Sequence, residues 1–247
     1  MLNRLRLLLE SIALFTSLTL LGSICLVWTA FALPLLLVLP DRAGTACGRW
    51  GILVGFRFYV WTLQFSGAYR MDLSALNALR HEKSIILAPN HPSLIDALLI
   101  IAHNRHVACV MKSALMNNVF LGAGARLARY IRNEPTRRMI SEGVAELARG
   151  GIVLLFPEGT RTRIRPVNAL TASVGIIARR ARAPVQTLLI EQNSGFLGKG
   201  WSLFKRPSLP IRYSMRLGKR FDPPTDVREF TAELERYFRS ELPGRKS

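Results

Sequence analysis

Cysteine is scarce, three in 247 residues, and Cys25, Cys47 and Cys109 lie far apart with no Cys-x-x-Cys. That spacing excludes a disulfide framework and a cysteine-based zinc site, and makes a reducing compartment the default. Acidic side chains are also few: sixteen Asp and Glu stand against thirty-four Lys and Arg, for a net charge of +18. Such an excess on a chain that is 49% hydrophobic calls for a polyanionic partner: membrane lipid, nucleic acid or an acidic carrier. Internal repeats and low-complexity linkers are missing, which leaves one sizeable core rather than an array. No Gly-x-Ser-x-Gly elbow occurs, and Gly122-Ala123-Gly124 lacks the third glycine of a dinucleotide fingerprint, so it reads as a helix-connecting loop. His103-x-x-His106 has no third ligand in sequence and reads as a helix-end pair rather than a metal site, and His81 as a lone exposed residue.

Charge is absent altogether from Ser11 through Pro40, where Leu, Ile, Val, Phe and Trp dominate. One straight helix there runs to about 45 Å against about 30 Å of hydrocarbon, so a tilted span and a re-entrant pair broken near Gly22 or Pro34 both fit. Arg4 and Arg6 on one flank and Arg42 and Arg49 on the other do not assign the two ends to opposite sides, which favours the re-entrant pair. The stretch exceeds the h-region of a signal peptide, about 7–15 residues, so cleavage is not expected. A second apolar run, Trp50 to Ala68, carries Trp50, Phe56, Phe58, Tyr59, Trp61 and Phe65 and suits a helix at the headgroup boundary or, equally, a core helix.

Beyond about Met71 short apolar runs alternate with helical periodicity. Strands are expected at Ser84–Ala88, Val107–Met111, Ile152–Phe156 and Val185–Ile190, with another at Arg212–Leu217. Helices are expected from the strand at Ser84–Ala88 through Asn104, over Pro135 to Ala148, over Ala169 to Arg182, and from near Thr225, the last placing Val227, Phe230, Leu234, Tyr237 and Phe238 on one face. Strands joined by helical crossovers imply an α/β fold with a mostly parallel central sheet flanked by helices, behind an N-terminal membrane-embedded helical segment. The division is 1–68 for membrane-associated helices and 69–247 for the α/β domain.

Two loops carry chemistry. The first strand runs into Pro89-Asn90-His91-Pro92-Ser93-Leu94-Ile95-Asp96, placing a histidine past a strand's carboxyl end, where open α/β sheets form their crevices. With a helix starting at Pro92 or Ser93, Asp96 folds back one turn in, fixes the imidazole tautomer and leaves the other nitrogen as a base. A capped helix with a structural histidine is the bland alternative, and Ser93 reads as an ordinary helix-start residue rather than a nucleophile. Backbone N–H groups after His91 are the candidate donors to a tetrahedral oxyanion. The second loop, Pro157-Glu158-Gly159-Thr160-Arg161-Thr162-Arg163, combines a glycine turn with hydroxyls and two arginines, a phosphate-binding set.

In this order the two loops resemble the glycerolipid acyltransferase family typified by 1-acyl-sn-glycerol-3-phosphate acyltransferase. Asn90, His91 and Asp96 match its first motif, and Phe156 to Arg161 match its third, Phe-Pro-Glu-Gly-Thr-Arg, in full. The second motif is met by Ala128-Arg129-Tyr130-Ile131-Arg132-Asn133, with Asn133 at an arginine's place and Arg132 beside it; the fourth survives as Ala183-Pro184-Val185-Gln186-Thr187. The resemblance covers about residues 70 to 220 and extends to members with a two-helix membrane motif. It implies His91 as general base, Asp96 as its orienter, Glu158 holding the acceptor's glycerol hydroxyls or structuring the site, and Arg161 on the phosphate, with Asn90, Gly159, Thr160 and Arg132 as further substrate-binding candidates.

The implied reaction moves a fatty acyl group from acyl-carrier protein or acyl-coenzyme A to lysophosphatidic acid, without cofactor or metal, at a bacterial inner membrane with the site facing the cytoplasm. The departures in the second and fourth motifs, and the run Gly195-Phe196-Leu197-Gly198-Lys199-Gly200, are similar to branches serving specialised lipids such as aryl polyene or ornithine lipid pathways. A catalytically silent lipid binder is the other alternative, opposed by the intact His91 and Asp96. Nucleic acid is not an expected partner, since no recognised motif accompanies the charge.

Overall fold

The computed structural model describes residues 2–164, 166–202 and 205–242. Helices α1 (Leu2–Val38) and α2 (Asp41–Phe65) precede strand β1 (Tyr69–Asp72) and a 3-10 turn at Ser74–Leu79. There follow β2 (Ile85–Pro89), α3 (Asp96–Ile101), β3 (Val107–Met111), α4 (Ser113–Met116), α5 (Gly122–Leu127), β4 (Ile131–Arg132), α6 (Thr136–Ala148) and β5 (Ile152–Leu154). The chain continues through α7 (Ser173–Ala181), β6 (Val185–Gln192), β7 (Ile211–Phe221) and α8 (Val227–Glu241).

The seven strands form one sheet in the order β1-β7-β6-β2-β5-β3-β4. Pairings from β6 through β4 are all parallel, as is β1 with β7; only β6 and β7 run antiparallel. The carboxyl ends of β2, β3, β4, β5 and β6 therefore share one edge, and the loops that leave them meet there. Both faces are covered, which is why the central strands read as unbroken apolar runs rather than alternating ones. Along β5, Ile152 and Leu154 join the core beneath α2 and α3, while Val153 joins the opposite core against α6, α7 and α8. On α8, Phe230, Leu234 and Phe238 are buried as the periodicity requires, and the Asp226 carboxylate caps its start by accepting from the N–H groups of Arg228 and Glu229.

The N-terminal segment departs from the expected break. Helix α1 passes through Gly22 and Pro34 without interruption, and the chain turns instead at Leu39 and Pro40. Helix α2 then returns alongside: a Cβ on Gly44 would meet Leu39, on Gly51 the Trp28 ring, and on Gly55 Ile24, so rising numbers in α2 meet falling ones in α1. A hairpin exists, and the second apolar run is its second arm. That run has both expected characters: Ile52, Tyr59, Val60 and Leu63 are buried, whereas Trp50, Phe58, Trp61 and Phe65 face outward. Residues Glu10–Val38 are long and apolar enough to cross a membrane, giving the chain a membrane-associating surface. Gly122-Ala123-Gly124 is not a loop but the start of α5, packed so tightly that a Cβ on Gly124 would strike Trp28.

Candidate active site

His91 leaves the carboxyl end of β2 in a turn rather than a helix, for α3 begins only at Asp96. The turn from Ser93 to Asp96 nonetheless brings the pair together: His91 Nδ1 lies 2.9 Å from Asp96 Oδ2, which also accepts from Ser93 N at 2.7 Å. An ionised carboxylate accepts only, so with Asp96 ionised the proton sits on Nδ1 and Nε2 is the ring nitrogen able to accept one. Asp96 is fully buried. Burial pushes its carboxyl above the ordinary value, against the opposing pull of His91 and the Ser93 N–H. The imidazole stacks on Phe156, the last residue before the second loop, with centroids 3.8 Å apart.

The remaining first-loop residues are tied to the scaffold. Asn90 is buried with its amide bonded at both ends to Ile190, donating to the carbonyl at 2.8 Å and accepting from the N–H at 2.7 Å. It fastens the β2 exit to β6. Ser93 Oγ donates to Phe196 O at 2.8 Å and is wholly inaccessible, so the structure presents no hydroxyl nucleophile there. Three of the expected oxyanion donors are engaged within the protein: Ser93 N on Asp96, Leu94 N on Leu197 O, and Asp96 N on Ser93 O.

The second loop wraps the first. Buried Glu158 accepts from His91 N at 3.0 Å and Thr162 Oγ1 at 2.7 Å through one oxygen, and from Asn168 N at 2.8 Å through the other. Thr162 N closes the circle by donating to His91 O at 2.8 Å. Gly159 makes the turn at φ +64, where side chains are disfavoured. Arg161 Nη1 donates to the carbonyls of Leu197 and Gly198, and Lys199 Nζ lies 3.4 Å from Thr160 Oγ1.

Arg132 stands outside this network. It ends β4 at the same sheet edge but donates to Asn117 Oδ1 at 3.2 Å, while Asn133 accepts from Ser113 N and so caps α4. Three features escaped sequence reasoning. Phe156 is a motif letter in sequence, and its ring beneath His91 is invisible in one dimension. Lys199 is in sequence one member of a glycine-rich run. The third is an apolar cavity of about 390 Å³ whose walls come from α1, α2, α3, β3 and α5, among them Trp28, Gly51, Leu98 and Ala125. Leu94 and Ile95, just past His91, also line it. No local signal marks a cavity assembled from so many elements.

Residues 70–191, which hold both loops, match the acyltransferase family model. The chain is 25% identical over 193 residues to the 1-acyl-sn-glycerol-3-phosphate acyltransferase of Pseudomonas aeruginosa, an alignment covering 75% of this chain and 73% of that protein. Its fold is similar to the crystal structure of the 1-acyl-sn-glycerophosphate acyltransferase from Thermotoga maritima, with a TM-score of 0.68, 19% identity, and coverage of 97% of this chain and 95% of the other. Residues 70–191, the segment that holds the joined histidine and carboxylate, belong to the acyltransferase family, whose chemistry is acyl transfer to an alcohol.

Proposed function

We propose that the chain transfers a fatty acyl group from a thioester to the free hydroxyl of lysophosphatidic acid, giving phosphatidic acid. The observation that carries this reading is the buried Asp96 on His91 Nδ1, which leaves Nε2 as a base beside an apolar cavity. His91 Nε2 takes the hydroxyl proton as the oxygen attacks the thioester carbon. The C–S bond then breaks and the proton passes to the leaving thiolate, a route worth about 10²–10⁴-fold from general-base catalysis. The thioester is itself the activated group, so the reaction needs no cofactor or metal.

In this reading Asp96 orients the imidazole, and Asn90 and Glu158 hold the two loops in register. Gly159, Thr160 and Arg161 form the face that meets the acceptor's phosphate, with Arg132 farther along the same sheet edge. The cavity accepts an apolar chain. Residues 1–68 seat the enzyme in the bilayer and 69–247 perform the chemistry, at a bacterial inner membrane with the site towards the cytoplasm, where acyl-carrier protein or acyl-coenzyme A is supplied. The basic surface attracts both anionic headgroups and an acidic carrier.

The test is acyl transfer by detergent-purified protein, offered each labelled donor with lysophosphatidic acid and a panel of other lysolipids. Phosphatidic acid should form with the unmutated chain and fall by about 10²-fold or more in His91→Ala. Product from a different acceptor alone moves the enzyme to a specialised lipid pathway, and no transfer by folded protein overturns the reading.

A further inference from the structure

The crevice edge carries more positive charge than the acyl-transfer chemistry uses. Lys112 follows β3, Arg161 and Arg163 follow β5, and Lys199 lies in the loop after β6. None of the four pairs with a carboxylate among the described residues. Partial desolvation, together with the neighbouring charges of Arg163, Lys112 and Arg161, pulls the Lys199 ammonium below its ordinary value. Like charges held close without a counter-ion repel one another, so a fold that fixes them is complementary to an anion supplied from outside.

The way Lys199 reaches this edge is specific. Arg161 Nη1 donates to Leu197 O at 2.8 Å and Gly198 O at 3.1 Å, which staples the 195–200 loop to the loop carrying Glu158 and Thr160. Gly198 permits the close passage: a Cβ there would lie 2.9 Å from Gly195 O and 3.3 Å from Pro92 O. The next residue is Lys199, whose ammonium comes to rest at Thr160 Oγ1. Arg163, Gly198 and Lys199 also line a polar cavity of about 230 Å³ with Thr162 and with Glu191, whose carboxylate lies 4.0 Å from Arg216, and the space takes a small charged group. One end of Arg161 is thus committed to the protein, and the cations that line the space are Arg163 and Lys199, of which Lys199 is the one held against Thr160.

We propose that Lys199 is a further binding residue for the acceptor's phosphate monoester, brought to the face formed by Gly159, Thr160 and Arg161 by the hydrogen bonds of Arg161 to the 195–200 loop. The identity of the anion rests on the acyl-transfer reading above; the presence of an anion site does not.

The experiment compares the full-length enzyme with Lys199→Met, Lys199→Arg and, as a control far from the site, Lys83→Met. Lys199→Met should raise KM for lysophosphatidic acid by about tenfold, the scale of one charge-assisted hydrogen bond, with kcat within about twofold. Lys199→Arg should recover most of that loss, and Lys83→Met should change neither constant. Monoacylglycerol, the same acceptor without phosphate, should be used equally by the parent and Lys199→Met. Calorimetric titration with inorganic phosphate should show weaker binding to Lys199→Met irrespective of turnover. A rise in KM for the acyl donor instead would place Lys199 on the donor's phosphate and overturn the acceptor assignment. An unchanged KM, or an Arg variant as impaired as Met, overturns the proposal outright. Should the parent protein bind phosphate through Lys199 yet make no product from lysophosphatidic acid, the substrate reading falls while the anion site stands.

Discussion

In the proposed reaction Asp96 orients the base, and its surroundings say what each replacement does. It has lost all contact with water and is held by one N–H from Ser93 and one from His91. Asp96→Asn keeps the shape but offers an N–H2 group in place of one acceptor, so the imidazole loses its fixed tautomer. Transfer should fall by about 10²-fold or more, with KM for the acceptor nearly unchanged, as expected for loss of a group that acts through the base. Ser93→Ala separates the two possible roles of the neighbouring hydroxyl. Its Oγ is spent on Phe196 O, so removal should lower the melting temperature by the worth of a buried hydrogen bond, about 1–3 kcal/mol, while transfer per folded molecule stays within a few-fold. Single-turnover rates beside thermal melts check both, and a Ser93→Ala enzyme that folds normally but no longer transfers would restore the hydroxyl as a nucleophile.

Between elements, one joint between the N-terminal hairpin and the α/β layer is ionic. Glu146 of α6 is buried and accepts from Arg49 of α2 at 2.7 Å and from Arg149 at 2.9 Å. Burial alone raises its carboxyl, yet Arg49 and Arg149 outweigh that and hold it below the ordinary range. A folded value below the unfolded one means the unfolded chain binds more protons on the acid side. The stability from this joint is therefore complete above about pH 4.3, the unfolded value, and is lost as pH falls through the lower folded value. Glu146→Gln should melt earlier at neutral pH, by about 1–3 kcal/mol, and its melting temperature should decline less steeply in acid. Parallel melting curves against pH would show that the joint is not coupled to folding. This joint was not legible in the sequence, since 97 residues separate Arg49 from Glu146. What was legible shared a local cause. Periodicity marked the α8 face through Phe230, Leu234 and Phe238, and the apolar run Val107–Met111 is a strand with the expected bounds. A break near Pro34 or Gly22 follows from helix propensity alone, whereas in α1 the neighbouring α2 and an apolar environment favour a continuous helix. Asp96 reached His91 by a tight turn instead of a helical one because Leu94 N and Ser93 Oγ are drawn to Leu197 and Phe196, partners about a hundred residues away.

Across the whole molecule, the N-terminal hairpin supplies both an outward apolar surface and part of the wall of the apolar cavity. Phe31, Leu33, Leu37 and Val38 of α1 and Trp50, Phe58, Trp61 and Phe65 of α2 are exposed. On α2 the outward rings form a stacked row, Phe58 to Trp61 at 6.1 Å and Trp61 to Phe65 at 5.4 Å. Leu94 and Phe120, exposed as well, belong to the cavity wall. An acyl chain taken up from a bilayer over this face would reach the cavity past Leu94 and Phe120. If that path governs access, damaging the outer aromatic row should matter only when substrate resides in a bilayer. Trp61→Glu with Phe65→Glu touches no core residue and removes rings each worth about 1.5–3 kcal/mol when buried in an apolar phase. Transfer to lysophosphatidic acid embedded in vesicles of anionic phospholipid should drop by about tenfold or more, because α2 no longer seats at the headgroup boundary. Transfer to a short-chain acceptor dissolved in detergent should stay within about twofold, because His91, Asp96 and the cavity are unaltered. Equal losses in the two assays would mean that the row supports the fold of the hairpin and that substrate enters by another route.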